Sequence, residues 1–125
     1  MMLSAETFTG VNGRLQPMAE LAGLTWMRVG GPADWLFSPT DVSDLQTFLQ
    51  QCPDDVPVTC LGAGSNSLIR DGGIDGVVIH LASHLTRVTH ERDEVCAEAG
   101  CADSEVARYA AKQGLSGLEF LVSIP

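Results

Sequence analysis

The sequence has few basic residues, and this shortage limits the partners it can bind. It contains 7 Lys and Arg against 16 Asp and Glu, which gives a formal net charge of −9 over 125 residues. Nucleic acids and anionic membranes both attract positive surfaces, so we expect neither as a partner. An anionic small molecule is compatible with this charge, because backbone N–H groups bind anions without contributing to it.

Long apolar runs and a leader pattern are also lacking. No segment approaches the roughly 20 consecutive apolar residues of a membrane span. Residues 1–6 have neither the basic nor the apolar part of a secretory signal. We therefore expect a cytoplasmic protein whose cysteines are reduced. No two cysteines form a C-x-x-C pair, so we predict buried thiols that pack as small apolar groups, and no metal site; these are Cys52, Cys60, Cys96 and Cys101.

Enough apolar material is present for one folded domain. Hydrophobic residues make up 45% of the sequence and charged residues 18%, which excludes a largely disordered chain. The last residues, 117–125, form an apolar run that stops at Pro125. Because domains more often end in a polar tail, we expect this chain to be a piece of a longer protein.

Hydrophobic periodicity predicts a mixed domain of the order β-α-β-β-β-β-α, preceded by an N-terminal arm at residues 1–23. A short helix is predicted within the arm at residues 18–22, and an extended segment follows at residues 25–29. One helix is predicted to open with a capping hydroxyl group in residues 38–41 and to run to Gln51, and a second to run from Asp103 to Gly114. The predicted strands, of which the second should be buried, are residues 33–37, 57–61, 76–81, 85–90 and 95–99.

A glycine loop, Gly62-Ala63-Gly64-Ser65-Asn66, directly follows the second predicted strand. Its glycines let a ligand approach the backbone, and successive N–H groups in such a loop bind phosphate. The loop lacks the third glycine of the Rossmann fingerprint, and a turn at residues 71–73 comes too soon for the helix which that fingerprint needs. The pattern favours a nucleotide phosphate held in a different manner, with a plain tight turn as the alternative.

Four segments in one order resemble the UDP-N-acetylenolpyruvoylglucosamine reductase family. They are TWMRVGGPA at residues 25–33, LGAGSNSLIRDGG at 61–73, GVVI at 76–79 and GLSGLEF at 114–120. The resemblance implies an α+β fold of the vanillyl-alcohol-oxidase type (PCMH type), in which two subdomains hold FAD between them. Residues 24–125 would then be the first part of this FAD-binding domain, truncated before the second subdomain.

The same resemblance implies an oxidoreductase of peptidoglycan precursor synthesis. Its NADPH-reduced FAD would reduce the enolpyruvyl ether of UDP-N-acetylglucosamine to UDP-N-acetylmuramate. The implied partners are this nucleotide-sugar substrate and the missing C-terminal part of the enzyme. Two alternatives remain open: the FAD-binding portion of another oxidase or dehydrogenase of the superfamily, and a non-catalytic nucleotide-binding module.

Carried over residue by residue, the resemblance implies a cradle for the FAD pyrophosphate and ribose. Ile124 would begin a second flavin loop, although Ser123 stands where the family usually has glycine. The family's catalytic arginine, serine and glutamate match no position here, so no catalytic residue is assigned and the chain alone is expected to be inactive. The implied cofactor contacts are Gly62, Ala63, Gly64, Ser65, Asn66, Ser67, Leu68 and Ile124.

A few other residues have two interpretations. Trp26 and Trp35 are predicted to be core or subdomain-interface residues and not flavin-stacking partners. Arg28 would either neutralise an anionic ligand or lie on the surface, and Glu119 would either reach the flavin or cap local backbone. We also expect Gly64→Val to block flavin approach while the sheet still forms.

Overall fold

The computed structural model describes residues 3–124, in which helices and strands form a mixed domain. The predicted strands and both predicted helices are present, with one additional strand at the N-terminal end. This content confirms the predicted α+β class. The elements are β1 (Arg14–Ala19), β2 (Ala33–Ser38), α1 (Val42–Gln51), β3 (Val58–Leu61), β4 (Ile74–His80), β5 (Val88–Glu91), β6 (Glu94–Ala97) and α2 (Asp103–Lys112).

The main sheet has four strands in the order β1-β2-β4-β3. β1 runs antiparallel to β2, whereas β2 and β3 both run parallel to β4. Parallel strands need a crossover connection, and α1 makes one between β2 and β3. The carboxyl ends of β2, β3 and β4 therefore lie at one edge of the sheet, and the loop after β3 starts from that edge.

The central strands are apolar on both faces, and their side chains alternate between two core clusters. Phe37 and Val77 belong to one cluster, while their chain neighbours Leu36 and Val78 belong to the other. Phe48 of α1 stacks on Phe37 with the ring centroids 4.1 Å apart, so α1 covers the first face. The second face is covered by residues from the loops before β2 and before β4, as described below.

The loops over the second face contribute two buried side chains to its cluster. Leu21, in the connection between β1 and β2, is fully buried, and Ile69, in the connection between β3 and β4, is 7% exposed. The segment that follows the glycine loop is therefore anchored in the core at Ile69.

A two-stranded sheet of β5 and β6 lies beside α2. β5 begins three residues later than predicted and β6 ends two residues earlier, because residues 85–87 and 98–99 lie outside the hairpin ladder. Tyr109 of α2 is hydrogen-bonded to the Nδ1 atom of His90 at 2.7 Å, which joins the helix to the hairpin. The N–H of Gly100 donates to the carbonyl of Leu85 at 2.8 Å and fixes the approach to α2.

Two expectations for the N-terminal third are wrong. Residues 18–22 do not form a helix, because Met18 and Ala19 belong to β1, in which Ala19 pairs with Ala33 of β2. Residues 25–29 do not form a strand, and Arg28 there has a positive φ of 52°. β1 is a half-exposed edge strand, so its sequence carries no clear two-residue period. The division of the chain at residue 24 remains a prediction.

Burial also differs from expectation at β3 and at the cysteines. β3 is an edge strand with a single neighbour, so Val58 is 41% exposed and Cys60 is exposed as well. Cys96 is exposed, while Cys52 and Cys101 are only partly buried, so the prediction of buried thiols is wrong. All four cysteines have free thiols, as expected.

The start of α1 differs in one detail. The residue that caps the helix is Asp41, whose carboxylate accepts from the Asp44 N–H at 2.7 Å, and not a hydroxyl group.

In residues 3–124 no helix is long and apolar enough to cross a membrane.

Candidate cofactor site

The glycine loop, residues 62–66, leaves the sheet at the end of β3, and Ser67 and Leu68 follow it. It consists of bends and a turn, and no helix follows it, as the sequence predicted. Just beyond it, the N–H groups of Gly31 and Gly73 both donate to the carbonyl of Arg70 at 2.9 Å. The motif segments at residues 25–33 and 61–73 are therefore packed against each other.

Gly64 is required by the packing of this chain itself. Its φ is +72°, and a Cβ atom at this position would lie 2.0 Å from the carbonyl oxygen of Leu24. The Gly64 carbonyl in turn accepts a hydrogen bond from the N–H of Trp26 at 3.1 Å. The fold itself therefore requires a glycine here, because any side chain would disturb the segment at residues 24–26, and a role of Gly64 in flavin approach stays a prediction.

Gly62 has no such requirement. The nearest atom to a Cβ built at this position is the carbonyl oxygen of Ala99, at 3.9 Å, and its φ is not in the left-handed region. The space beside Gly62 is therefore open within the described part of the chain. An open backbone at the end of a strand gives room for a ligand, which is what a pyrophosphate cradle needs.

A cleft of about 310 Å³ connects the glycine loop with two distant segments. Ala63, Ser65 and Trp26 line one side of it. The residues leading into α2 and the first residues of that helix line another, and the C-terminal segment contributes the rest. Larger clefts of about 420 and 580 Å³ include no residue of the glycine loop. The remaining lining residues are Ala99, Cys101, Ala102, Asp103, Ser104, Val122 and Ile124.

The cleft is bordered by hydrogen-bond donors that the fold does not use. Within residues 3–124, the backbone N–H groups of Ala63 and Ser65, which line the cleft, donate to no atom, and neither does that of Asn66, which follows them outside the lining. No hydrogen bond there involves the side chains of Ser65 or Asn66. At α2, the residue before the helix is Ala102, whose side chain cannot cap it. A helix end of this kind favours negative charge. The donor set therefore suits a phosphate group.

Charged groups around the cleft are of both signs. Asp103 lines it, whereas Arg28 lines a neighbouring cleft of about 430 Å³ that shares Ala63 and Trp26 with the first. Burial and the nearby carboxylates of Glu105 and Asp103 raise the pKa of the Cys101 thiol. This thiol is therefore neutral near pH 7 and adds no negative charge to the cleft.

Three of the predicted cofactor residues line the cleft, and the others do not. Ala63, Ser65 and Ile124 are brought to one cleft, although they are up to 61 positions apart in the sequence. Asn66 and Leu68 are exposed, Leu68 to 74%, and neither lines the cleft. Gly62, Gly64 and Ser67 do not line the cleft either; Gly64 is buried, and Gly62 and Ser67 are partly buried.

Glu119, Trp35 and Trp26 lie outside the glycine loop and differ in their contacts and exposure. Glu119 caps local backbone, because its carboxylate accepts from the Gly117 N–H at 2.8 Å, and hydrogen bonds from its own N–H and that of Gly117 lower its pKa. Trp35 packs against the core, as predicted. Trp26 is 70% exposed, so it does not lie in the core, and its alternative placement at a subdomain interface stays a prediction.

Histidine and cysteine side chains form no metal centre in the described residues. No group of three or more His, Cys, Asp or Glu side chains there is close enough to hold an ion.

Burial, together with the nearby His84, lowers the pKa of His80.

Sequence reasoning missed the residues that approach the loop from elsewhere in the chain. The start of α2 was predicted as a helix start, but no pattern showed that Asp103 and Ser104 would face the loop. Trp26 lies in the segment at residues 25–33 that resembles the reductase family. Its position there is the sequence feature that could have marked it as a site residue.

The chain is similar to a family of FAD-binding domains and to individual known proteins. The FAD binding domain family matches residues 33–125, and the chain belongs to that family. Over 117 residues, which are 92% of the chain, it is 54% identical to a UDP-N-acetylenolpyruvoylglucosamine reductase of Maricaulis maris. It is 52% identical to the reductase of Gluconobacter oxydans over 93% of the chain, and 48% identical to that of Ruegeria pomeroyi over 94%.

The chain spans a little over a third of each of these relatives, with shares of 37%, 38% and 38% of their length. The matches confirm the resemblance to this reductase family that the four motifs indicated. They also confirm that the chain is an FAD-binding part of such a protein.

Proposed function

We propose that this chain forms the pyrophosphate-binding side of the FAD site in an NADPH-dependent UDP-N-acetylenolpyruvoylglucosamine reductase. The observation that carries the proposal is the shared cleft of the glycine loop, the start of α2 and Ile124, which is bordered by unused N–H donors. These donors fit a diphosphate, and the open space beside Gly62 fits its approach. The proposed contacts are Gly62, Ala63, Gly64, Ser65, Asn66, Ser67, Leu68 and Ile124.

The residues of this chain bind and orient, and they do not supply proton transfer. When bound, FAD carries a hydride from NADPH to the enol-ether double bond of the substrate. Backbone N–H groups of Ala63, Ser65 and Asn66 hold the diphosphate, and the side chain of Ser65 adds a further donor. The proposal places the substrate-binding and catalytic groups in the part of the relatives that this chain does not match.

We further propose that residues 24–125 form the first subdomain of a vanillyl-alcohol-oxidase-type fold, with residues 1–23 as the arm before it. The protein would act in the cytoplasm on a small nucleotide-sugar, together with the C-terminal part of the same enzyme. Absence of a nucleic-acid or membrane partner is expected from the net charge.

The experiment is an FAD titration of the chain and of two charge-matched variants, Gly62→Asp and Gly72→Asp. A Cβ atom at either position meets no atom of the chain within 3.8 Å, and neither glycine has a φ in the left-handed region. Two like charges about 4 Å apart at a protein surface repel by about 4 kcal/mol. Screening reduces this value, so we expect Gly62→Asp to weaken FAD binding by at least about tenfold.

Gly72→Asp is the control, because it adds the same charge in the turn outside the glycine loop. We expect its FAD affinity to stay within about twofold of the wild type, since surface substitutions of this kind have small effects. Equal affinities for the two variants would contradict the placement of the diphosphate at the loop. Release of the flavin on denaturation would distinguish the reductase from covalent flavoenzymes of the superfamily.

A further inference from the structure

We propose that Trp26 is a binding residue for FAD, with its indole packed against one of the two aromatic ring systems of the dinucleotide. This inference rests on the proposed function and goes beyond it, because the glycine loop binds phosphate whereas Trp26 would bind a ring. Three observations support it: the side chain is exposed, its backbone is hydrogen-bonded to the glycine loop, and it lines two clefts.

Trp26 is a large apolar side chain that the described residues leave mostly exposed. It is 70% exposed, whereas Trp35, the other tryptophan in the sequence, is partly buried against the core. Tryptophan is normally well buried, because its area gives it a large gain on leaving water. An exposed tryptophan beside a ligand cleft is therefore expected to be covered when the site is filled.

The backbone that carries Trp26 is held firmly, although the side chain is not. Its N–H donates to the Gly64 carbonyl at 3.1 Å, so it is joined directly to the glycine loop. The preceding residue, Thr25, is 4% exposed, and its hydroxyl donates to the Ala22 carbonyl at 3.2 Å. A ring presented on a fixed backbone loses little conformational entropy when it binds a ligand.

The indole lies where a ring of a dinucleotide is expected. Trp26 lines the cleft that contains Ser65 and the start of α2, and it also lines the neighbouring cleft that contains Arg28. Ala63 of the glycine loop borders both clefts. FAD has an aromatic ring system on each side of its pyrophosphate, so a pyrophosphate on this loop places one of the rings within reach of Trp26.

The test compares FAD affinity among four forms of the full chain: wild type, Trp26→Ala, Trp26→Phe and Met27→Ala. Met27 is the matched control, because it is the next residue, is 63% exposed and lines neither cleft. Stacking on an aromatic side chain changes affinity by roughly 5- to 150-fold on substitution by alanine. We expect Trp26→Ala to fall in this range, and Trp26→Phe and Met27→Ala to stay within about threefold of wild type.

Titrations with ADP and FMN then identify the ring. Weaker ADP binding by Trp26→Ala assigns the contact to adenine, and weaker FMN binding assigns it to the isoalloxazine. Urea unfolding of each variant serves as the structural readout, and it should be unchanged because the indole is exposed.

The outcomes separate this inference from the proposed function. If wild type binds FAD and Trp26→Ala binds it equally well, the inference is overturned, and another segment of the protein covers the indole. If wild type does not retain FAD after desalting, the proposed function fails, and the inference fails with it. If Trp26→Phe loses as much FAD affinity as Trp26→Ala, the stacking contact is also overturned.

Discussion

Asp44 offers the sharpest test of how the N-terminal segment is attached to the sheet. It is 3% exposed, in the first turn of α1. Its carboxylate accepts from the N–H groups of Asn12 at 2.7 Å, Gly13 at 2.8 Å and Thr40 at 2.9 Å, and from the Thr40 hydroxyl at 3.2 Å. One buried carboxylate therefore joins the chain before β1 to the start of α1.

The perturbation is Asp44→Asn, which keeps the size of the side chain and removes its charge. One carboxylate oxygen becomes an NH₂ group that faces an N–H donor, so at least one bond is lost. A hydrogen bond to a charged group contributes about 1.5–3 kcal/mol, and a neutral one about 0.5–1.5 kcal/mol. Loss of one bond and weakening of the others predicts a decrease of about 3 kcal/mol in the free energy of unfolding.

This decrease should be visible in melting experiments and should depend on pH. For a chain of this size, about 3 kcal/mol corresponds to a Tm lower by roughly 10–15 °C. Burial raises the pKa of Asp44, but the hydrogen bonds from Thr40, Asn12 and Gly13 outweigh it, and the pKa lies below the ordinary value of 3.8. The carboxylate therefore stabilises the fold above about pH 4, and this contribution is lost as the pH falls through the lowered pKa.

The assay is urea unfolding, followed by circular dichroism, of wild type, Asp44→Asn and the control Asp54→Asn at pH 7 and pH 3. Asp54 is exposed, so its substitution should change stability by less than about 0.5 kcal/mol. The gap between wild type and Asp44→Asn should be full at pH 7 and smaller at pH 3. A gap below about 0.5 kcal/mol at pH 7, or one of the same size at both pH values, would refute this reasoning.

Two further predictions concern the glycine loop and its cleft. Gly64 and Gly114 share a φ of +72°, but a Cβ atom meets the Leu24 carbonyl at 2.0 Å in the first case and nothing within 4 Å in the second. Gly114→Ala should therefore cost about 1–2 kcal/mol of unfolding free energy and Gly64→Ala clearly more, and equal urea midpoints would contradict the contact with Leu24. Asp103→Asn should strengthen FAD binding at low salt by a few fold, because it removes a carboxylate from the cleft, and the gain should vanish at high salt. An unchanged affinity at low salt would argue against a diphosphate beside Asp103.

The local elements could be predicted because short-range patterns determine them. The strand at Ala33–Ser38 and the helices at Val42–Gln51 and Asp103–Lys112 follow from apolar spacing, caps and glycine stops. β1 was missed because an edge strand is stabilised by its partner and not by its own sequence. The burial of β3 was overestimated for a related reason, since an apolar strand does not reveal how many neighbours it has.

The sequence by itself determined the family, the glycine loop and the absence of a helix after it, because these depend on residue types at fixed short spacings. Only the tertiary structure decided which residues meet at the loop. It brought Ile124 and the start of α2 to Ser65, placed Trp26 on the surface beside them, and showed that Gly64 is fixed by Leu24 whereas Gly62 faces open space. Such contacts join residues far apart in the chain, and the physical reason they escape prediction is that packing, not local spacing, selects them.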